Sequence, residues 1–377
     1  MAHQILQIDA FMSEAISYPF DESPAYGTTR EVTDGVHWLR MPLPMSLNHI
    51  NLYLIEDDHS WTVIDTGIRG EETRNLWHDI FDHCLKGKPV DRVICTHMHP
   101  DHTGQAGFIS ERWRAPLYMS YSEYYQARVM STMMRDGGNW QMSEYFQRAG
   151  ISTEVLEQMA ETRSNFAPEP EDIPLPASYI RLRDGEELTI GGRSWIVITG
   201  SGHSPEHVCL FSPDLKVLLS GDQILPVITS NVSVQPTEPQ ANPMQDWLSS
   251  HEKFRSLLPE DTLVLPAHNE PFYGAHDRLQ QLIDHHEDRM LILEEACVEP
   301  MAAIDMLPLL FNRELEGHSL FMGLGECVAH LHCLMSRGRI ERTLKDGRYH
   351  YHSIDPTLPA RARPGQHEAK DDEPILT

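Results

Sequence analysis

The chain has 377 residues, 40% of them hydrophobic, and a formal net charge of −26. This length predicts a catalytic domain with a smaller appended domain. Because a surface with this much negative charge repels phosphate backbones, nucleic acid is not an expected partner. No apolar run approaches the ~18 residues that a membrane span needs and the N-terminus lacks a secretory pattern, so no membrane association and a cytoplasmic location are expected.

Apolar periodicity along most of the chain predicts strands alternating with helices. Residues 1–35 form a polar lead-in. The predicted strands are 51–55, 61–65, 92–95, 179–182, 187–190, 194–198, 207–211, 217–220 and 262–265. The predicted helices are 71–85, 105–112, 245–258 and 275–297. This order predicts an α/β domain over 36–297 in which two sheets are covered by outer helices.

Three segments differ from this pattern. Residues 120–166 are rich in Tyr, Met and Glu and predict a helical insert within the catalytic domain. Residues 298–354 predict helices followed by a hairpin, the order found in a winged helix. The tail at 355–377 is Pro-rich and charged, and is predicted to be disordered.

Four potential metal ligands lie within six residues directly after a predicted strand: His97, His99, Asp101 and His102. Imidazole nitrogen and carboxylate oxygen are donors that zinc and similar ions prefer. Alternate residues of an extended segment point the same way, so His97 and His99 can bind one ion. Because the cluster contains no cysteine, it indicates a catalytic site that keeps room for water rather than a closed structural site.

Three further ligands follow other predicted strands: His203 in GSGHS, Asp222 in SGD and His268 in PAH. A histidine-rich loop on its own is often only a solvated surface loop. Ligands at four separate strand ends, all expected at one rim of the sheets, favour a metal centre over that alternative.

The motifs IDTG at 64–67, THMHPDH at 96–102, GSGHS at 200–204, SGD at 220–222 and PAH at 266–268 resemble, in this order, those of the metallo-β-lactamase superfamily. The resemblance implies an αββα sandwich with the helical insert and the C-terminal winged-helix domain. It also implies a ligand for every position of a dinuclear centre. The implied ligands are His97, His99 and His203 for one metal, Asp101, His102 and His268 for the other, and Asp222 for both. Asp65 corresponds to a buried carboxylate that orients the ligands.

The implied activity is that of a metal-dependent hydrolase in EC class 3, subclass 3.1. A hydroxide that bridges two divalent metal ions would attack an ester-like bond. Asp101 and Asp222 are the implied catalytic residues, and Asp101 would hold the hydroxide by a hydrogen bond. Zinc is the expected metal, and iron or manganese also suits this ligand set.

A thioester of the acyl-CoA type is the expected substrate, on fold-level analogy. The alternatives are a lactone or aryl ester, a phosphodiester or RNA, and a regulatory protein that binds metal without activity. Leu225 stands where signalling-lactone lactonases have a tyrosine, which disfavours a lactone. The intact ligand set disfavours the inactive protein. The winged-helix-like region resembles that of thioester hydrolase candidates and of a mitochondrial ribonuclease, but a solvated wing is expected because the chain is acidic.

The insert is the predicted specificity element. It carries Met130, Met133, Met134, Trp140 and Tyr145 among other apolar residues, and methionine-rich surfaces accept varied apolar groups. The expected partner is therefore a small-molecule substrate with an apolar acyl or aromatic part, covered by the insert as a lid. Packing of these side chains into a small core is the alternative.

Overall fold

The computed structural model describes residues 16–133, 140–162, 173–354 and 357. The strands are β1 (Arg30–Thr33), β2 (Val36–Pro42), β3 (His49–Glu56), β4 (Trp61–Ile64), β5 (Val90–Ile94), β6 (Leu117–Met119), β7 (Ile180–Arg181), β8 (Glu187–Ile190), β9 (Arg193–Gly200), β10 (His207–Ser212), β11 (Val217–Gly221), β12 (Leu263–Pro266), β13 (Met301–Ala302), β14 (Ile340–Lys345) and β15 (Arg348–Ser353). The helices are α1 (Glu71–His83), α2 (Pro100–Thr103), α3 (Ala106–Trp113), α4 (Tyr121–Met133), α5 (Trp140–Ala149), α6 (Thr153–Thr162), α7 (Pro243–Leu257), α8 (Ala275–Ala296), α9 (Ala303–Leu310) and α10 (Gly317–Ser336). Among the described residues, no helix combines the length and the apolar character that crossing a membrane requires.

Two sheets stack face to face with helices outside them, which is the αββα sandwich. The first sheet runs β1 to β7 in sequence order and the second runs β12-β11-β10-β9-β8. In the first sheet, β4, β5 and β6 pair in parallel. In the second, β11 and β12 do the same. Loops that follow these parallel strands therefore leave the sandwich at the carboxyl ends of the strands, where α/β sheets place their ligands.

Alternating side chains on single strands fill the layers of this sandwich. On β3, Tyr53 and Ile55 point between the sheets, whereas Leu52 and Leu54 pack outward beneath α1 and α3. The outer face of the second sheet is covered by α7 and α8. A strand that is buried on both faces carries an almost continuous apolar run, and NLYLI in β3 is such a run.

The C-terminal region packs against the catalytic domain and the insert. Helices α9 and α10 precede the β14–β15 hairpin, and β13 pairs with β15 to make a three-stranded sheet. Phe146 of the insert helix α5 lies in the same hydrophobic cluster as α9 and α10. The order of helices and hairpin is the predicted one, and the winged-helix assignment of 298–354 remains a prediction.

The structure also differs from the sequence-based expectations. The predicted lead-in 1–35 contains β1, the edge strand of the first sheet, and β2 follows it directly. No residue of β1 is buried, and Glu31 is exposed, so the strand lacks the apolar alternation that marks a strand in a sequence. Residues 1–15 of the lead-in, 134–139 and 163–166 of the insert, and nearly all of the predicted disordered tail lie outside the described residues.

Candidate metal centre

All seven predicted ligands converge at one end of the sandwich, in two groups. His97, His99, His203 and Asp222 offer ligand atoms that all lie within 4.8 Å of one another, and Asp101, His102 and His268 form the second such group. The segment from His97 to His102 follows β5, and Pro100 begins the short helix α2, which suits a residue with fixed φ and no N–H donor.

Asp222 lies between the two groups and presents one carboxylate oxygen to each. Its Oδ2 is 3.3 Å from His203 Nε2 and 3.7 Å from His97 Nε2. Its Oδ1 is 3.4 Å from the Nε2 atoms of both His102 and His268. This is the position that a bridging carboxylate needs.

Among the described residues that form the centre, three buried polar atoms lack a hydrogen-bond partner: two in the second group, and the Asp222 oxygen that faces that group. They are His102 Nε2, His268 Nε2 and Asp222 Oδ1, and the 3.4 Å separations between them exceed typical hydrogen-bond lengths. Unsatisfied buried polar atoms are costly in a folded protein. Atoms of this type, aimed at a common point, fit a cation, so the residues present suit a metal site.

Three of the histidine rings form a hydrogen bond through Nδ1, on the side away from the centre, and these bonds determine which ring nitrogen is available to bind a metal. The Nδ1 atom of His203 donates to the Asn231 carbonyl at 2.8 Å, and that of His268 to the His49 carbonyl at 2.9 Å. His102 Nδ1 lies 2.8 Å from Asp65 Oδ2. In each case the proton sits on Nδ1, so the Nε2 lone pair is directed into the site.

Asp65 organises the loop that carries the first four candidate ligands. It follows β4 with a φ of 59°, a left-handed conformation that aspartate tolerates. Its carboxylate accepts hydrogen bonds from the Thr96 amide and the Thr96 hydroxyl in addition to that from His102. The orienting role expected of Asp65 is consistent with these contacts.

Burial favours the neutral, metal-binding form of His97 and His99. Burial and the neighbouring His102 hold the pKa of His97 well below its ordinary value, and burial lowers that of His99 to about 3. For His102 and His268 burial acts in the same direction, but the neighbouring carboxylates outweigh it and raise the pKa of both rings, so metal binding there must displace a proton. Burial alone would raise the pKa of Asp222, but His102 and His268 lower it well below its usual range. Neutral imidazoles and an ionised carboxylate are the forms that coordinate metal ions.

Sequence reasoning missed two side chains that hold this arrangement. His207, at the start of β10, is fully buried, and its Nε2 accepts a hydrogen bond from the Asp222 amide at 3.1 Å. Glu123, in the first turn of α4, is also fully buried and contacts two of the ligand-bearing loops. Burial raises the pKa of Glu123 to about 6, although the hydrogen bonds it accepts oppose the rise. The position of His207, four residues after His203, was the available signal, whereas nothing in the sequence distinguished Glu123.

Other histidines behave differently. His286, His330 and Glu326 form a third buried group within the described residues. There the ring nitrogens of both histidines have hydrogen-bond partners: each other at 3.1 Å, Thr229 and the Glu326 carbonyl. They belong to the core, whereas His285 beside them is only partly buried and accepts a hydrogen bond from Arg289. His49 is held by Asn48 and the Asn269 amide. Its ring packs edge-on against the ring of His268, and its carbonyl accepts the hydrogen bond from His268 Nδ1.

Comparison with known proteins agrees with the fold and the site. The family model "Metallo-beta-lactamase superfamily" matches residues 46–268, and "Metallo-beta-lactamase-like, C-terminal domain" matches 291–354. A crystal structure of a beta-lactamase domain protein from Burkholderia ambifaria is similar with a TM-score of 0.82 and 41% identity, over 90% of this chain and 98% of that one.

Curated relatives are more distant. A probable metallo-hydrolase of Bacillus subtilis, YqjP, is 25% identical over 80% of this chain and 92% of its own length. A linear primary-alkylsulfatase of a Pseudomonas species is 22% identical over 66% of this chain and 46% of its own length. The acyl-coenzyme A thioesterase MBLAC2 of Bos taurus is 22% identical over 74% and 94% respectively. The chain therefore belongs to the metallo-beta-lactamase superfamily and is a metallo-hydrolase.

Proposed function

We propose that the seven converging residues hold two divalent metal ions and that the enzyme hydrolyses an ester-like bond, with a thioester of the acyl-CoA type as the first candidate. The observation that carries the metal assignment is the position of Asp222, which presents one oxygen to each group of ligands. Zinc is the proposed metal because the donors are nitrogen and carboxylate oxygen, and iron and manganese are the alternatives for the same donors.

Two metal ions at this position would lower the pKa of a water to near neutrality and polarise the bond to be cleaved. The chain supplies orientation and proton handling. The side chain of Asp101 is 16% exposed, whereas that of Asp222 is 3% exposed, so Asp101 is the carboxylate that an attacking water can reach. Its Oδ2 can accept a hydrogen bond from that water and so orient it toward the substrate.

The thioester proposal is supported by the similarity to the acyl-coenzyme A thioesterase MBLAC2, which covers 94% of that protein. It is also supported by apolar surface on the insert. Tyr121 and Tyr125 of α4 are each about half exposed, and Trp140 of α5 is 69% exposed. These side chains could cover an acyl or aromatic group, which is the specificity role proposed for the insert. Of the methionines predicted for the lid, Met134 and the side chain of Met133 lie outside the described residues.

Nucleic acid hydrolysis is less well supported, because basic residues of the C-terminal region are engaged within the protein. Arg337 forms two 2.8 Å contacts with Glu287, and Arg339 pairs with Glu294. A guanidinium that is held by a carboxylate is a poor phosphate ligand. We therefore retain phosphodiester or RNA hydrolysis, as well as lactone, aryl ester and alkyl sulfate hydrolysis, as competing outcomes of the test.

The test is hydrolysis by the purified, metal-loaded protein of a matched panel: acyl-CoA thioesters of short and long chain, a lactone, an aryl ester, an alkyl sulfate, a phosphodiester and RNA. The variant Asp222→Asn, purified in the same way, tests whether the hydrolysis depends on the site. The proposal predicts the highest kcat/KM for a thioester. A higher kcat/KM for any other class would reject the thioester assignment, and hydrolysis that survives in Asp222→Asn would reject the site.

The role of the insert is tested with Trp140→Ala. If the exposed indole covers the acyl group, the ratio of kcat/KM for long and short acyl chains falls while metal content is unchanged. Equal scaling of both substrates would show that Trp140 takes no part in specificity.

A further inference from the structure

A single carboxylate from the insert bonds to two of the loops that carry the candidate ligands. Glu123 Oε2 accepts a hydrogen bond from the Met98 amide at 2.9 Å. Its Oε1 accepts from the Ser204 hydroxyl at 2.6 Å and from the Glu206 amide at 2.7 Å. Glu123 is fully buried, so these three donors replace the water that an ionised carboxylate would otherwise need.

Two of the three donors are adjacent in sequence to candidate ligands of one group. Met98 lies between His97 and His99, and Ser204 directly follows His203. The first of these loops leaves β5 of the first sheet, and the second connects β9 with β10 of the second sheet. Glu123 therefore ties together two loops of different sheets at the point where His97 Nε2 and His203 Nε2 approach to 3.3 Å.

The first turn of α4 is itself held against the second loop. The Ser120 hydroxyl donates to the Glu206 carbonyl at 2.7 Å, and the Ser122 amide donates to Glu206 Oε2 at 3.0 Å. With Glu123 in the same turn, the start of the insert forms several bonds to residues 204–206. The carboxylate is thus placed by a rigid element rather than by a flexible surface loop.

We propose that Glu123 is a positioning residue that holds His97 and His99 at the correct distance from His203 before metal binds. The inference rests on the proposed function, in that these histidines are taken to bind one of the two ions. Preorganisation of this kind raises metal affinity because binding need not then order the loops, and partners that orient ligands typically contribute about 10- to 100-fold.

The variant Glu123→Gln separates this role from simple space filling. Glutamine has nearly the same shape but replaces one acceptor oxygen with a donor NH2 group. If the amide oxygen faces Ser204 and Glu206, the NH2 group faces the Met98 N–H, and two donors oppose each other. The flipped amide restores the bond to Met98 and can donate to the Ser204 hydroxyl, but its NH2 group then opposes the Glu206 N–H, so either orientation weakens the hold on one loop.

The experiment titrates metal-free protein with Zn²⁺ in competition with a chromophoric chelator, and follows unfolding in urea separately. We expect the wild type to bind two ions tightly. In Glu123→Gln we expect one ion to bind about 10- to 100-fold more weakly while the other keeps its affinity, because Asp101, His102 and His268 do not contact Glu123. The matched control is Glu157→Gln, which alters an exposed glutamate on the insert helix α6 and should bind as the wild type does.

Equal Zn²⁺ affinity of both sites in Glu123→Gln and wild type would overturn the positioning role, even if the urea midpoint falls, since a purely structural carboxylate changes stability alone. Should Glu123→Gln fail to fold, Ser204→Ala removes one of the three bonds, and we expect a loss of about 3- to 10-fold at one site; no loss would again overturn the proposal. Absence of tight Zn²⁺ binding in the wild type would instead reject the metal centre itself, which distinguishes the two failures.

Discussion

The hydrogen bond between Asp65 and His102 allows a quantitative test of how the chain prepares a metal ligand. Substitution of Asp65 by asparagine preserves the shape of the side chain and is compatible with its left-handed backbone at a φ of 59°. The amide oxygen can still accept from the Thr96 amide, which now bonds Oδ1 at 2.7 Å. The NH2 group then replaces Oδ2, which lies 2.8 Å from His102 Nδ1.

That exchange opposes the tautomer that metal binding requires. To keep a lone pair on Nε2, His102 must carry its proton on Nδ1, where it would face the new NH2 donor. The alternative tautomer accepts from the NH2 group but places a proton on Nε2, which blocks coordination. A hydrogen bond to a charged group contributes about 1.5–3 kcal/mol, so metal affinity at the site of His102 should fall roughly 10- to 100-fold.

The assay is Zn²⁺ competition against a chelator with the purified metal-free variant, with stoichiometry measured at saturation. Asp91→Asn is the matched control, because Asp91 also accepts a side-chain hydrogen bond, from Ser60, but lies in β5 at the end remote from the metal loops. Affinity equal to that of the wild type at both sites of Asp65→Asn would refute the tautomer argument.

Three further predictions concern the bridge, pH and nucleic acid. Asp222→Ala should reduce bound metal below two ions per chain and abolish most hydrolysis with the circular dichroism spectrum retained; full activity would contradict the bridging role. Burial lowers the pKa of His330 to about 3, against 6.5 in the unfolded chain, so the folded protein holds this histidine in its neutral form. His286, His285 and Arg289 face its ring. The unfolded chain therefore binds more protons below pH 6.5, and this group should lower the free energy of unfolding by up to roughly 1.4 kcal/mol for each pH unit that the pH falls. Urea titrations of His330→Gln at pH 7 and pH 5 should show a smaller fall in the free energy of unfolding than those of the wild type. An equal fall in both proteins would count against this role of His330. The C-terminal region should not bind RNA or DNA tightly in fluorescence anisotropy, and a salt-dependent submicromolar complex would favour the nuclease alternative.

The convergence of the seven candidate ligands could be predicted from sequence because each one follows a strand and is embedded in a short motif. His97 to His102 follow β5, and Asp222 follows β11, so the period-2 apolar pattern that reveals the strand also locates the site. The order of strands and helices gave the two-sheet architecture in the same way. Two short strands were harder to recognise: β1, at the edge of the first sheet, has no buried residue, and β6 has three residues, too few for a periodicity.

The supporting contacts could not be predicted, because they join residues that are distant in sequence. Glu123 meets Met98 across 25 residues and Ser204 across 81, and the carbonyl that fixes the His203 ring belongs to Asn231. Neither Glu123 nor Asn231 lies in a motif. Their roles depend on the packing of the insert and of the loop after β11, which only the three-dimensional structure provides.

The most direct test of the central claim is to count and locate the metal ions by elemental analysis of the purified protein together with anomalous X-ray scattering from its crystals. The account predicts two ions per chain, about 3.5–4 Å apart, with Asp222 between them. One ion is expected among His97, His99 and His203, and the other among Asp101, His102 and His268. A protein that hydrolyses its substrate with fewer than two ions bound, or with ions bound elsewhere, would contradict the account.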